Sequence, residues 1–406
     1  MALRQSGEES VILEKSNTFG GLCGNFDING FRFDRFVHLS FSNIEKANSV
    51  ILKTRYIKHI PNPANLYNRI WIKHPAQNNL YPLPHEEKQR IIHDFKNRRP
   101  IDAIGNQTEM TYEDWLRYQF GDYFAEHFPM AYTRKYWMKE ARDLRTEWIG
   151  NRIYRPSIDE VIAGCEHEQT AITYYAKEMR YPATGGFSSF FQSLADEADI
   201  RYNIEIVSID PKTKTVTDSM GCTYPYKRLI SSVPLPEVIG MIDDVPDSVR
   251  NAIGKLECTS GYHVSIALKS KNIPPYIWWY IYDDDILASR VYSPSLKSPD
   301  NAPAGCSSLQ MEIYCNEGAY TIQQLLNGTV RKLVESKIID EKDIMFTHIE
   351  FEKYANVIFS NSIYESRKIV RDYLSSLTID TIGRFGEWDY LWSDQSLMSG
   401  INIYKN

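Results

Sequence analysis

The chain has 406 residues and a formal net charge of −6, with 43% hydrophobic and 24% charged residues. These proportions are typical of a globular protein of two or three domains and exclude a disordered or collagen-like chain. The acidic balance predicts no nucleic acid partner, and the lack of an apolar run of about 18 residues predicts no integral membrane segment. The six cysteines form no C-x-x-C pair and no apolar signal run opens the sequence, so we expect free thiols and a cytoplasmic location.

The first predicted element is a short strand, Val11–Leu13, closed by Glu14 and Lys15 and followed by Gly20 and Gly21. A strand, an acid and then glycines are typical of the second strand of a dinucleotide-binding unit, in which the acid binds a ribose hydroxyl. An ordinary strand that ends in a glycine turn fits these residues equally well. The strand and G-x-G-x-x-G loop that come first in a complete unit are not present ahead of this strand.

Residues 84–178 carry mostly helical patterns, after a loop rich in proline and asparagine at residues 75–84. Thr111 is placed to cap a helix that has acidic residues in its first turn. Ser157 and Glu160 form a capping-box pattern ahead of another helix. We therefore expect a helical domain inserted at this point.

Strand patterns dominate the second half of the chain. Strands are predicted over residues 202–206, 227–232, 262–268, 277–282, 309–315 and 344–351. Helices are predicted over residues 321–337 and 364–374, with a glycine-rich segment after them. The run of strands predicts a largely antiparallel sheet. We interpret the three aspartates at residues 283–285 as a solvated turn rather than a metal site, since no other ligands stand nearby.

These elements predict an α/β protein with a Rossmann-like dinucleotide-binding domain that lacks its first strand, a helical insertion, and a mixed, largely antiparallel sheet. The dinucleotide-binding domain is expected to be discontinuous, because its parts lie at both ends of the chain. We expect it to comprise residues 1–83, 179–232 and 355–406. The helical insertion is then residues 84–178, and the sheet domain that binds the substrate is residues 233–354.

Four segments of the chain carry a resemblance to a known family. They are Glu14-Lys15 with Gly20-Gly21, Gln77-Asn78-Asn79-Leu80, Arg180-Tyr181-Pro182 with Gly185-Gly186, and Gly383-Arg384-Phe385-Gly386-Glu387-Trp388. In this order and spacing they resemble the flavin amine oxidase superfamily and, within it, the UDP-galactopyranose mutases and their uncharacterised relatives. The first segment is common to FAD and NAD proteins, whereas the second and fourth are specific. The resemblance extends from residue 11 to about residue 400.

The resemblance implies FAD as the cofactor. The residues expected to bind it are Glu14, Lys15, Gly20, Gly21, Gly383, Arg384, Phe385 and Gly386. Glu14 would bind the adenosine ribose, and Arg384 would pair with the pyrophosphate. His38, which alone would be a satisfied core histidine, falls where the mutases place a histidine beside the isoalloxazine ring. Phe36 and Val37 replace the glycine pair that precedes it there, and bulky residues cannot take every conformation that glycine can.

The resemblance also implies a small-molecule substrate, a UDP-sugar, whose diphosphate lies between two arginines and several tyrosines. The matching positions are Arg180, Arg290, Tyr280, Tyr354 and Tyr390, with Gln77 on the uridine side and with His38, Arg180 and Arg290 as the catalytic candidates. Guanidinium groups neutralise a diphosphate, and phenols add neutral donors. Two departures allow a changed substrate: His74 replaces a tyrosine, and Ala355-Asn356 follow Tyr354 in place of a proline. Without the resemblance, Arg290 would be a solvated residue at a strand edge.

The function implied by the resemblance is the isomerisation of a UDP-hexopyranose to the furanose through a flavin N5 adduct, in cell-surface polysaccharide biosynthesis. Two alternatives stay open. One is a general FAD-dependent amine oxidase or protoporphyrinogen oxidase-like oxidoreductase, although the arginines favour a diphosphate over an amine, which would prefer acids and an aromatic cage. The other is a truncated fold without catalytic activity. A homo-oligomer is compatible with each of these.

Overall fold

The computed structural model describes residues 3, 7–98, 110–169, 173–174 and 176–403. Strands and helices are mixed along the chain, which confirms the α/β prediction. The strands are β1 Val11–Leu13, β2 Asn25–Ile28, β3 Phe31–Asp34, β4 Tyr56–His59, β5 Ala64–Tyr67, β6 Ile70–Lys73, β7 Met179–Pro182, β8 Asp199–Arg201, β9 Ile206–Asp210, β10 Thr215–Asp218, β11 Thr223–Pro225, β12 Leu229–Ser231, β13 Cys258–Leu268, β14 Trp278–Ile281, β15 Arg290–Tyr292, β16 Ser307–Tyr314, β17 Ile344–Val357 and β18 Ile379–Thr381.

The helices of the described residues comprise one between β3 and β4, five between β6 and β7, and others that follow β7. They are α1 Glu45–Ile51, α2 His85–Lys96, α3 Tyr112–Phe120, α4 Asp122–Ala125, α5 Ala131–Trp137, α6 Ile158–Glu166, α7 Gln192–Glu197, α8 Leu235–Gly240, α9 Asp247–Ile253, α10 Pro294–Lys297, α11 Ile322–Leu326, α12 Lys332–Glu335, α13 Ile363–Ser376, α14 Gly383–Gly386 and α15 Ser393–Asn402. No helix among the described residues is both long and apolar enough to cross a membrane.

A seven-stranded sheet in the order β17-β13-β16-β15-β14-β5-β6 is the largest sheet of the described chain. Neighbouring strands are antiparallel except β14 and β5, which are parallel. The prediction of a mixed, largely antiparallel sheet is confirmed. Residues 64–73 form β5 and β6 of this sheet although they fall in the range expected for the cofactor domain, and the domain boundaries stay a prediction.

Two parallel pairs of strands lie in the predicted dinucleotide-binding domain. β1 pairs with β8, and β12 pairs with β18. A three-stranded antiparallel meander, β9–β11, accompanies them. Val11 and Ile12 in β1 are 43% and 48% exposed, since this strand is paired on one side only among the described residues. Parallel strands that end in an acid and glycines are the arrangement expected for a Rossmann-like domain.

Two of the inserted helices begin at the residues that the capping patterns of the sequence predict. Thr111 and Asp114 form a capping box at the start of α3, and Ser157 and Glu160 form one at the start of α6. A π-helical turn that contains Pro129 joins α4 to α5. Proline removes a backbone donor from the helix, and such turns occur frequently at functional sites.

One predicted strand is displaced. The alternating pattern over residues 202–206 predicts a strand, but β8 ends at Arg201 and β9 begins at Ile206. Asn203 between them takes a left-handed backbone conformation with φ 59°, which a strand does not accommodate. The other predicted strands are present, and β13 and β17 are longer than their apolar patterns indicate.

Gly164 in α6 lies against the turn at residues 76–78, where an added Cβ would be 2.2 Å from the Asn78 carbonyl oxygen. We expect Gly164→Ala to lower the free energy of unfolding by about 1–3 kcal/mol, because the helix and the turn would have to separate. Gly240 is the control, since its Cβ position has no atom within 4 Å. Gly240→Ala should be neutral or slightly stabilising. Equal urea midpoints for the two variants would contradict the close approach.

Candidate functional site

A cavity of about 580 Å³ lies between the seven-stranded sheet and the inserted helices. Three arginines line it, Arg152, Arg155 and Arg290, and the described residues of its lining include no carboxylate. Eight tyrosines also line it: Tyr112, Tyr132, Tyr136, Tyr154, Tyr174, Tyr280, Tyr282 and Tyr390. Cations and phenols without competing acids suit an anionic ligand that also carries rings or hydroxyl groups.

Arg290 is held in the cavity wall by a buried carboxylate. It opens β15, between Tyr280 on β14 and Glu312 on β16, so its interpretation as a solvated edge residue is wrong. Its Nε and Nη2 atoms donate to Glu312 Oε2 at 3.0 and 2.6 Å. Burial alone would lower the pKa of Arg290, but the combined attraction of Glu312 and of Tyr132, Tyr314 and Tyr136 holds the pKa well above its ordinary value. Arg290 is therefore a fixed cation.

Two tyrosines of α5 line the cavity as neutral phenols. Burial raises the pKa of Tyr132 and of Tyr136 well above the ordinary value, so both phenols stay protonated. The Tyr136 hydroxyl lies 2.8 Å from that of Tyr390 and donates to Asn356 Oδ1 at 3.1 Å. The Tyr132 hydroxyl is buried and has no partner among the described residues, which suits a bound ligand atom.

The glycine-rich segment near the C-terminus meets the cavity at Tyr390. Arg384 Nη2 donates to Asn356 Oδ1 at 2.7 Å, and its guanidinium lies 4.6 Å from the Tyr390 ring centroid. Gly383 has φ 75° and open space at its Cβ position. Asn356, one of the departures from the mutase pattern, thus joins Arg384 to the phenols of the cavity.

The donors of this segment fit a cofactor that offers phosphate and ring acceptors. Arg384 Nε, Asn356 Nδ2 and Trp388 Nε1 are buried and have no partner among the described residues. A buried donor without a partner costs about 1–3 kcal/mol, which a bound acceptor removes. The residues present therefore fit FAD at this segment.

The loop that leads to His38 keeps a glycine-like conformation without glycine. Phe36 has φ 62°, and its ring packs edge-on against His263 at 4.2 Å. The Val37 amide donates to Glu312 Oε1 at 3.0 Å, which fixes the next residue. The His38 ring stacks on Phe187 at 4.8 Å, and burial lowers the pKa of His38 to about 4, so the ring is neutral.

The cofactor residues expected near the N-terminus lie on the turn that follows β1. The Glu14 carboxylate accepts from the Ser16 amide at 2.8 Å in an exposed position. Gly20 and Gly21 have φ 106° and 53°, which a larger residue would adopt only under strain. Lys15 lies close enough to the Glu237 carboxylate to help lower its pKa, after the larger effects of hydrogen bonds from Lys353 and Tyr354.

The structure brings together four of the predicted substrate residues and separates two others from them. Gln77, Tyr280, Arg290 and Tyr390 all line the cavity. Tyr354 does not, and its hydroxyl donates to Glu237 Oε1 at 2.7 Å. Arg180 in β7 also lies outside the lining, where it donates to Glu178 Oε1 at 3.2 Å and to the Ser42 carbonyl at 3.3 Å. The roles given to these two residues stay predictions.

Sequence reasoning missed Glu312 and Arg152. Glu312 is the single charged residue in the otherwise uncharged run of β16, which was a signal available in the sequence. Arg152 donates to the carbonyls of Trp148 and Tyr390 at 2.6 and 2.8 Å and stacks 4.9 Å from the Tyr390 ring. It lies in a loop without regular pattern, so the sequence offered no comparable signal.

The turn at residues 283–285 also differs from its interpretation as a solvated turn, because Asp283 is buried and paired with Arg69.

The chain belongs to the flavin-containing amine oxidoreductase family, whose model matches residues 2–345. It is therefore an FAD-dependent enzyme of this family, as the sequence resemblance predicts.

Solved structures of several flavoenzymes share this fold. Reduced UDP-galactopyranose mutase has a TM-score of 0.92 at 22% identity, covering 99% of this chain and 90% of that chain. A putative protoporphyrinogen oxidase from Exiguobacterium sp. 255-15 has a TM-score of 0.74 at 14% identity, covering 100% and 94%. A putrescine oxidase redesigned in its cofactor binding has a TM-score of 0.67 at 12% identity, covering 99% and 94%. Structural similarity at such low sequence identity shows the fold only. The reaction has to be inferred from the residues of the site.

His263 on β13 gives a measurable pH dependence. It is fully buried, neither ring nitrogen has a partner among the described residues, and burial lowers its pKa to about 3. Below pH 6.5 the unfolded chain takes up a proton at His263 that the folded chain does not. The free energy of unfolding therefore decreases as the pH is lowered. From pH 6.5 to 5 this one group should remove about 1.5 kcal/mol from the free energy of unfolding.

Replacing His263 should flatten that part of the profile. We expect His263→Leu and His263→Gln to lose about 1.5 kcal/mol less than the wild type over the same interval, because neither side chain titrates. Urea denaturation at several pH values measures the difference. The two variants differ in polarity, so a shared change in slope isolates the titration from packing. An unchanged slope in both would show that His263 takes up protons in the folded state.

Proposed function

We propose that the protein is a nucleotide-sugar mutase that isomerises a UDP-hexopyranose to the furanose, in cell-surface polysaccharide biosynthesis. The observation that carries the proposal is a cavity lined by three arginines and eight tyrosines, without a carboxylate among its described lining residues, next to the flavin-binding segment. The fold shared with reduced UDP-galactopyranose mutase over 99% of the chain adds support.

In this proposal the cavity residues bind and orient the nucleotide. Arg290 and Arg152 neutralise the diphosphate, and the protonated phenol of Tyr132, which has no partner among the described residues, donates to one of its oxygens. Gln77 lies on the uridine side, where its amide nitrogen donates to the Tyr154 carbonyl at 2.8 Å. Holding the nucleotide at a remote site lets its binding energy position the sugar, as catalysis by orientation requires.

FAD supplies, when bound, the nucleophilic and redox chemistry that no side chain of the cavity offers. Glu14, Gly20 and Gly21 would hold its adenosine end, and Arg384 its pyrophosphate. His38, which does not line the cavity, would lie beside the flavin as a neutral ring, since burial lowers its pKa to about 4. At neutral pH its role is therefore to position a group or accept a proton, not to supply a positive charge.

A second candidate is an oxidase for a substrate with carboxylates, such as a porphyrinogen. The three arginines would pair with carboxylates as well as with phosphates, and a putative protoporphyrinogen oxidase shares the fold. An amine substrate is disfavoured, because the described lining residues offer it no acid. The cytoplasmic location and any homo-oligomer stay predictions.

Arg290→Ala should weaken binding of UDP by about 1.5–3 kcal/mol, the range for a hydrogen bond to a charged group. Calorimetric titration of UDP against the FAD-loaded protein measures the loss. The same titration of Arg180→Ala decides whether that second predicted arginine also contacts the diphosphate. Unchanged affinity in Arg290→Ala would remove the anion-binding role of the cavity.

The reduced, FAD-loaded protein should convert UDP-galactopyranose to its furanose isomer, while the oxidised protein should not. The isomerisation has no net redox change, so dithionite is needed to set the flavin state and is not consumed by turnover. Methyl α-galactopyranoside is the control and should not react, because its C1 substituent locks it in the pyranose form and it lacks the nucleotide that the arginines bind. Chromatographic separation of the two UDP-sugars reads the result. Oxygen uptake with a porphyrinogen, together with no furanose, would select the oxidase candidate.

A further inference from the structure

His74 follows β6 and belongs to the wall of the same cavity. Its ring lies 4.8 Å from that of Tyr280 and 5.4 Å from that of Tyr174. At this position the mutase pattern has a tyrosine, so the imidazole is a feature of this chain. Whether it donates or accepts a hydrogen bond depends on which ring nitrogen carries the proton.

The Asn65 side chain determines which ring nitrogen of His74 carries the proton. Its amide nitrogen donates to the carbonyls of Ile72 and Lys73 at 3.2 and 3.3 Å. The reversed amide would set an oxygen against two carbonyl oxygens, so Oδ1 is the atom that faces His74. The distance from His74 Nδ1 to Asn65 Oδ1 is 3.1 Å. An amide oxygen only accepts, and His74 Nδ1 therefore carries the proton.

The ring is neutral, so its second nitrogen has a free lone pair. Burial lowers the pKa of His74 to about 3. Nε2 lies on the ring edge away from Nδ1 and has no partner among the described residues. In a lining made largely of donors it offers an acceptor.

We propose that His74 Nε2 accepts a hydrogen bond from an N–H or O–H of the uridine part of the bound nucleotide, which makes His74 a specificity-determining residue. The proposal rests on the proposed function. The uridine is the relevant part because Gln77, three residues further along the same loop, is the predicted uridine contact. Its donors are the imide N–H of the base and the ribose hydroxyls. A nucleotide without a donor at that position would leave Nε2 unpaired and bind more weakly.

The first test needs no ligand. Nitrogen-15 NMR of the FAD-loaded protein distinguishes the two neutral tautomers of each histidine, and the His74→Phe variant identifies the His74 signals. We expect Nδ1 protonated and Nε2 unprotonated from pH 6 to 8. A protonated Nε2 would overturn the proposal, whatever the substrate is.

The second test is a cycle of two proteins and four ligands. Wild type and His74→Phe are titrated with UDP, N3-methyl-UDP, 2′-deoxy-UDP and 3′-deoxy-UDP. Wild type should bind one analogue roughly three- to tenfold more weakly than UDP, the range for a neutral hydrogen bond, and His74→Phe should bind that analogue and UDP alike. The analogue that shows this difference identifies the donor group of the nucleotide. A merely structural role for His74 would lower affinity for all four ligands equally.

The outcomes separate the two proposals. If wild type binds UDP and each analogue loses the same factor in both proteins, the role of His74 is overturned and the proposed function stands. If wild type does not bind UDP, the proposed function fails and the uridine contact fails with it, while the NMR result still reports the tautomer.

Discussion

The Glu312 carboxylate lies inside the seven-stranded sheet with 0% exposure and binds three separate parts of the molecule. It accepts from Arg290 in the cavity wall, from the Tyr314 hydroxyl at 2.9 Å, and from the Val37 amide in the loop that leads to His38. Removing one partner of such a buried pair leaves an uncompensated charge, which costs about 3–5 kcal/mol. The position of the cavity arginine and the path of the loop that leads to His38 therefore depend on the same group.

A second buried pair holds the other end of that loop. Asp34 and Lys297 form an ion pair with no exposed surface, and the Tyr181 hydroxyl donates to the same carboxylate at 2.8 Å. The loop between Asp34 and Val37 is thus fixed by a buried carboxylate at each end. This constraint explains how Phe36 is kept at φ 62°, a conformation that costs a bulky residue energy and persists only when its surroundings enforce it.

Features set by neighbouring residues were predictable from the sequence, and features set by pairing across the chain were not. The helix cap at Thr111 and the capping box at Ser157 need only residues three positions apart, and both form as predicted. The pairing of β5 with β14 joins residues more than 200 positions apart, and no local pattern specifies it. For the same reason Arg290 reads locally as an edge residue, because its burial depends on the register that brings Glu312 beside it.

Under the proposed function, the balance of cations and phenols in the cavity has a consequence for turnover of a nucleotide-sugar. More cations would bind a diphosphate more tightly in the ground state, which slows release without lowering the barrier to reaction. Arg290 enters with part of its charge already compensated by Glu312, and phenols such as Tyr132 donate while staying neutral. The phenols of Tyr136 and Tyr390 are joined to Arg384 of the glycine-rich segment through Asn356 and ring stacking. Under the proposed function, a nucleotide that binds these hydroxyls is therefore positioned relative to the predicted flavin-binding segment by the same contacts that retain it.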